Sequence, residues 1–225
     1  MPRVARIVLS GFPHHVTQRG NNRQDVFFVD EDYRVYLEIL GEQAERYGLT
    51  VQGWCLMTNH VHLIATPVGE SSLAKAVGRT HFLYTQYINR FHGRSGHLWQ
   101  NRFYSCALDR RHYLYAMRYL ERNPIRAKMC RSAWSYRFSS AAAHVGKPDR
   151  TGLLDLGQWR KETSGVNWKE ILQTPLPMEH KNALRLNTHR GRPLASDRFL
   201  SKLETKLNLR LRPLPVGRPR KEKNR

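Results

Sequence analysis

The chain of 225 residues carries 38 Lys+Arg against 18 Asp+Glu, a net charge of +20 and a pI near 10.5, and 40% of it is hydrophobic. That apolar fraction supplies a core, while so large a cationic excess costs self-repulsion and favours polyanions, nucleic acid foremost, because phosphate neutralisation rewards many dispersed cations. The composition argues against a membrane protein or a disulfide-framed secreted one. No apolar run approaches the roughly 18 residues of a spanning helix, no signal peptide follows Met1, and Cys55, Cys106 and Cys130 lie far apart without a C-x-x-C. No basic amphipathic helix with an unbroken apolar face suggests a membrane surface as partner. A soluble, cytoplasmic, nucleoid-associated protein is expected, either one large domain or a domain with an extension.

Ile7-Val8-Leu9 and His14-His15-Val16-Thr17 are extended in character, interrupted by Pro13, and Gln18 to Arg23 is turn-rich. Asp30-Glu31-Asp32 supplies a cap and first-turn acids for a helix in which Tyr33, Tyr36, Leu37, Leu40, Ala44 and Tyr47 recur at helical spacing, closed by Gly48. Leu49, Val51, Gly53, Cys55 and Met57 alternate as a strand. Thr58-Asn59 then turns tightly into a second run, His60 to Pro67, so the two should pair as a hairpin. Ser71-Ser72 can cap a long helix whose stripe runs from Leu73 to Phe91 and stops at Gly93. Leu98 to Leu108 reads as a fourth strand rich in aromatic and basic residues. The order β-α-β-β-α-β predicts an α+β, ferredoxin-like palm, an arrangement that hosts many functions.

In the hairpin's second strand, period-two alternation points His60 and His62 to one face and Val61, Leu63 and Ala65 to the other. Two imidazoles side by side on a rigid strand can chelate one cation; two solvated histidines on a half-exposed strand fit the same pattern. A helix from Arg110 to Arg122 follows, with Tyr113, Ala116, Met117 and Leu120 toward the core. At about 100° per residue, His112, Tyr119 and Asn123 share a neighbouring polar face, and Pro124 ends the helix at Asn123. A tyrosine with an amide four residues later suits an active-site helix, or equally a rim tyrosine and a closing asparagine.

Beyond Trp134 the periodicity weakens. Lys147 to Gly152 reads as a boundary, giving a catalytic domain over 1–146 and a basic, mainly helical or partly disordered extension over 147–225. Short helices are expected over Val166–Gln173, Met178–Leu186 and from Ser196 through Leu207. Residues 181–225 hold 14 Lys+Arg against 3 acids. Two Gly-Arg-Pro triplets there, around Arg192 and Arg218, resemble minor-groove hooks that read narrow A·T DNA; a solvated basic linker explains them as well.

Four blocks now stand in order: His14-His15-Val16-Thr17-Gln18-Arg19-Gly20-Asn21-Asn22-Arg23, Met57-Thr58-Asn59-His60-Val61-His62, Gly96-His97-Leu98-Trp99-Gln100-Asn101-Arg102-Phe103 and Tyr119-Leu120-Glu121-Arg122-Asn123-Pro124. Together they resemble the REP-associated tyrosine transposases, bacterial members of the single-tyrosine HUH superfamily. The resemblance covers roughly residues 3 to 140. It implies a palm that cuts and rejoins single-stranded DNA next to hairpins, with a divalent metal, Mg or Mn, and a covalent tyrosine intermediate. It also implies that His60 and His62 are metal ligands, Asn123 the third ligand where related enzymes can have glutamine, and Tyr119 the nucleophile. No small-molecule cofactor is implied, and the protein could be a monomer or a homodimer.

The residues make that chemistry reasonable. A phenol, with its pKa near 10, needs help to attack a phosphate, and a Lewis acid held by two imidazoles and an amide would supply it. Single-strand binding needs cations and stacking faces, for which Arg19, Arg23, Trp99 and Arg102 are the candidates, with Arg192 and Arg218 in the extension. A non-catalytic, domesticated DNA-binding protein and a hydrolytic nuclease using water are the competing readings.

Overall fold

The computed structural model describes residues 6–212. Strands β1 (His14–Arg19), β2 (Leu49–Met57), β3 (His60–Pro67) and β4 (Tyr104–Ala107) form one sheet in the order β2-β3-β1-β4, every neighbour antiparallel. Helix α1 (Asp30–Tyr47) joins β1 to β2, and α2 (Ser72–Phe91) joins β3 to β4. The palm is the α+β, ferredoxin-like arrangement that the order of elements predicts.

Local chemistry sets these elements. One carboxylate oxygen of Asp32 accepts from the backbone N–H groups of Phe28 and Val29, closing the start of α1. Three acids in the first turn suit the helix dipole, and Gly48 ends the helix at φ 64°, the left-handed conformation that glycine adopts freely. The buried carboxylate of Asp32 also accepts from Tyr87 Oη and binds His92 Nε2 at 3.0 Å, so it ties the end of α2 to the start of α1. Tyr36, Leu40, Tyr84 and Ile88 from these two helices pack on Val16, Val61, Leu63 and Ala65. Alternation along β3 therefore sends the apolar set to this face, each large side chain contributing about 1.5–3 kcal/mol by burial, and leaves His60 and His62 to the other.

That second face carries α3 (Arg110–Glu121), capped by Asp109, whose Oδ1 accepts from His112 N. Gly53 of β2 lets α3 approach: a Cβ there would lie 2.4 Å from Met117 Sδ. After α3 the chain forms α4 (Asn123–Arg126), α5 (Ala141–His144), α6 (Leu156–Glu162), α7 (Trp168–Gln173), α8 (Met178–Arg190) and α9 (Asp197–Leu207). Trp159, Trp168, Leu172 and Leu184 share one core with Met57, Ile64, Tyr113, Met117 and Leu120, so the helices past residue 147 cover the palm directly. Glu121, fully buried, accepts from Ser140 Oγ and Trp168 Nε1, both at 2.8 Å, and pairs with His144 Nδ1, fixing the end of α3. Leu194 N donates to Ala107 O beside β4, and α9 buries Leu200 and Leu203 against Ile7 and Leu9.

Three expectations change. The fourth strand shortens from Leu98–Leu108 to Tyr104–Ala107, because Asn101 takes a positive φ of 61° that breaks an extended run, leaving Trp99 a single bridge to Gly20. Ile7-Val8-Leu9 joins no strand; Ile7 and Leu9 pack beneath α9, while Val8 packs on the α1–α2 core. Helix α8 runs on to Arg190, past the expected Leu186. Among the described residues no helix is long and apolar enough to cross a membrane.

Candidate active site

His60 and His62 project from β3 onto the α3 face, with ring centroids 5.0 Å apart. Each has its Nδ1 engaged. His60 Nδ1 lies 2.7 Å from Asn59 Oδ1, an acceptor, so it carries the proton and Nε2 carries a lone pair. His62 Nδ1 lies 3.0 Å from Nε2 of His15 on β1, and His15 Nδ1 lies 2.8 Å from Thr188 Oγ1 of α8, which in turn sits 3.2 Å from Cys106 Sγ. One proton pattern of this chain frees His62 Nε2 to act as a ligand: Thr188 accepts from His15, and His15 accepts from His62. Neither Nε2 has a partner among the described residues.

Burial pushes all three imidazoles toward the neutral form that ligates metals. His15 falls to about 3. His60 falls to about 4, through burial and then the charges of Arg19, Arg126 and Arg185. His62 is held well below its ordinary value by burial, then by His60, His15, Arg126 and Arg19.

Tyr119, on α3, closes the cluster. Its ring stands edge-on to His62 and His15, with centroids at 5.7 and 6.0 Å. The ring is buried, and the hydroxyl accepts from Arg185 Nε at 3.1 Å, with Arg126 Nη2 at 3.5 Å, the outer limit of a hydrogen bond. The Arg126 guanidinium also lies over the ring, 4.7 Å from its centre.

Asn123, four residues on, lies past Arg122, which closes α3, and opens α4. Its side chain is 1% exposed, and neither Oδ1 nor Nδ2 has a hydrogen-bond partner. A buried amide left so costs roughly 1–3 kcal/mol per orphaned group, and such a group calls for a reason. A divalent ion on Oδ1 would provide one. Two neutral imidazoles with tethered Nδ1 atoms and one orphaned amide fit such an ion. No group of three or more His, Cys, Asp or Glu able to hold a metal occurs among the described residues, so the candidate set contains no carboxylate to neutralise the ion.

The remaining sequence candidates fall differently. Arg19 is exposed and pairs with His60 across β1 and β3. Arg23 is exposed in the following loop, where its carbonyl accepts from Asn59 Nδ2. Arg102 is exposed, whereas Trp99 packs on His81, rings 4.4 Å apart, and donates its indole N–H to His81 O, so one face of this ring is already used by the core. Arg192 belongs to a folded connection rather than an extended hook: Gly191 closes α8, Pro193 is buried, and Arg192 Nη1 donates to Arg210 O. Arg218 lies outside the described residues. His112 is bound to Asp109, about 10 Å along the helix from Tyr119, too far to accept its proton. Sequence reasoning missed His15, Arg126, Arg185 and Thr188; only the His14-His15 doublet gave a signal, one residue early in a strand whose faces alternate.

Comparison with known proteins gives the family and the fold of the chain. The family model described as "Transposase IS200 like" matches residues 9–123, half of the chain and all of β1 through α3. The chain belongs to the IS200-like transposase family. This IS200-like chain also matches the structure of a REP-associated tyrosine transposase bound to a REP hairpin, at 18% identity and a TM-score of 0.57, over 69% of this chain and 90% of that one. That likeness concerns the fold. A Deinococcus radiodurans R1 protein described as a transposase, solved at 1.90 Å, aligns at 20% identity and a TM-score of 0.37, over 57% of this chain and 92% of that one. No curated protein matches. Membership gives the chain a transposase-like, DNA-processing role.

Proposed function

We propose that this IS200-like transposase is a metal-dependent, single-strand DNA endonuclease and strand transferase of the REP-associated kind, acting next to hairpins through a 5′-phosphotyrosine at Tyr119. The observation that carries the reading is Tyr119, its hydroxyl flanked by two arginines and its ring edge-on to His62, which like its strand neighbour His60 keeps Nε2 free.

His60, His62 and Asn123 would hold Mg or Mn, which when bound supplies Lewis acidity toward a phosphate oxygen. The protein's own groups do the rest. Arg19, Arg126 and Arg185 attract the backbone of a single strand. The packed ring of Tyr119 fixes its oxygen beside the histidines. Attack forms the bond from the Tyr119 oxygen to phosphorus and breaks the bond from phosphorus to the 3′ oxygen, with the phenolic proton ending on the released 3′-hydroxyl. One phosphodiester replaces another, so the step is nearly isoenergetic and needs no ATP, and a different 3′-hydroxyl attacking the intermediate gives strand transfer. The similar REP-associated tyrosine transposase, solved bound to a REP hairpin, supports the choice of substrate.

Incubation with single-stranded hairpin oligonucleotides and Mn²⁺ or Mg²⁺ tests this. An SDS-resistant protein–DNA adduct is expected, lost in Tyr119→Phe with binding retained. Cleavage that survives Tyr119→Phe would favour hydrolysis by water; binding without cleavage in either metal would favour a domesticated DNA-binding protein.

A further inference from the structure

Two residues of α8, three positions apart, reach the site from beyond the stretch that the family model covers. Arg185 Nε donates to Tyr119 Oη at 3.1 Å. Thr188 Oγ1 binds His15 Nδ1 at 2.8 Å, and His15 Nε2 binds His62 Nδ1 at 3.0 Å. Positions i and i+3 share a helix face, so a single docking of α8 delivers both contacts. Leu184, buried in the core under α3, and His189, stacked on Tyr104 of β4 at 4.5 Å, hold that docking on either side of the pair.

We infer that α8 is a working part of the active site, with Arg185 a catalytic residue and Thr188 a positioning residue. The inference rests on Tyr119 being the nucleophile, as proposed above. An N–H donated to the Tyr119 oxygen leaves the hydroxyl hydrogen pointing elsewhere and fixes the direction in which a lone pair meets phosphorus. As the bond to phosphorus forms and the bond to the 3′ oxygen breaks, negative charge gathers on the phosphate oxygens beside a guanidinium whose flat array of donors matches them. Thr188 acts two hydrogen bonds away. By accepting from His15 Nδ1–H it leaves His15 Nε2 as an acceptor, which keeps the proton of His62 on Nδ1 and the ligating lone pair on Nε2. Outer partners of this sort typically tune metal affinity or activity 10–100-fold.

The test uses the full chain with a single-stranded hairpin oligonucleotide and Mn²⁺. Adduct formation is followed in single turnover at saturating DNA, with hairpin affinity measured separately. Arg185→Ala is expected to slow adduct formation at saturating DNA by about 100-fold or more, a loss beyond any weakening of hairpin Kd, and to recover part of the rate on adding guanidinium. Arg185→Lys keeps charge and stem and carries the test if the alanine variant folds poorly; an intermediate rate is expected. In a Tyr119→Phe background with the oligonucleotide bound, Thr188→Val is expected to weaken Mn²⁺ binding by roughly 10-fold, read from the electron paramagnetic resonance of free Mn²⁺, and Thr188→Ser to restore it. Wild-type rates in Arg185→Ala, or a loss that lies wholly in Kd, would overturn the role of Arg185. Unchanged Mn²⁺ affinity in Thr188→Val would overturn that of Thr188. Failure of the wild type to form an adduct, or an adduct surviving Tyr119→Phe, would instead sink the underlying reading of Tyr119.

Discussion

His62 Nδ1 rests 3.0 Å from His15 Nε2, so the imidazole on β3 is oriented by a histidine on the neighbouring strand rather than by a carboxylate or a main-chain carbonyl. The register makes this possible: His15 lies opposite Ile64 and diagonal to His62 on the same sheet face. Replacing His15 by alanine would leave His62 Nδ1 unpartnered in a buried site and Thr188 Oγ1 with Cys106 Sγ alone. His15→Ala is expected to destabilise the fold by about 1–3 kcal/mol, the usual cost of an orphaned buried group, as read from urea unfolding. Mn²⁺ affinity in the presence of DNA should fall as well, and His15→Gln, which keeps an acceptor, should lose less.

Acid should destabilise the protein in the window where histidine ordinarily titrates. Burial lowers His14 to about 4, where a hydrogen bond to Phe12 O opposes the shift, and lowers His15 and His81 each to about 3. The unfolded chain binds protons on these residues below about 6.5 and the folded chain does not. Their contribution is therefore complete above the unfolded pKa and is lost as pH falls from there toward about 4 for His14 and about 3 for His15 and His81. Each such histidine adds up to about 1.4 kcal/mol per pH unit to the slope. Denaturant midpoints at pH 7.5, 6 and 5 should fall steadily. A flat profile over that range would mean that these imidazoles are not buried neutral.

Metal and DNA should bind together. The candidate ligand set lacks a carboxylate, and the charges of Arg19, Arg126 and Arg185 already bear on His60. A divalent cation enters this field unfavourably until a phosphate compensates it. Titration of Mn²⁺ into the free protein is expected to show weak binding, strengthened about tenfold or more by a non-cleavable hairpin oligonucleotide. By reciprocity, the metal should tighten DNA binding by the same factor.

Gly53 sets the height of the tyrosine helix above the sheet. A Cβ there would come within 2.4 Å of Met117 Sδ and 2.7 Å of its Cε, in a fully buried side chain two residues before Tyr119. Gly53→Ala is expected to cost about 1–3 kcal/mol through overpacking. Pairing it with Met117→Ala should relieve part of that cost in a double-mutant cycle.

Short periods made part of this molecule legible in the sequence. Alternation along β3 separated His60 and His62 from Val61, Leu63 and Ala65, because that relation lies within one element, whereas α3 closes at Glu121 and Asn123 opens α4. The two faces of the sheet follow from the same alternation. What stayed hidden depends on contacts far apart in the chain. His15 meets His62 only through the β1–β3 register, and Arg185 lies 66 residues beyond Tyr119 on a helix whose role comes from where it docks. Trp99 misled for a local reason: an aromatic, basic stretch resembles a strand, yet the positive φ of Asn101 breaks it and the indole packs on His81.

The most direct measurement is to trap the protein–DNA adduct on a single-stranded hairpin oligonucleotide, digest it, and locate the modification by tandem mass spectrometry. A nucleotide joined through its 5′-phosphate to the Tyr119 oxygen is predicted, together with a free 3′-hydroxyl on the released strand. Attachment at another residue, or cleaved DNA with a free 5′-phosphate and no adduct, would contradict it.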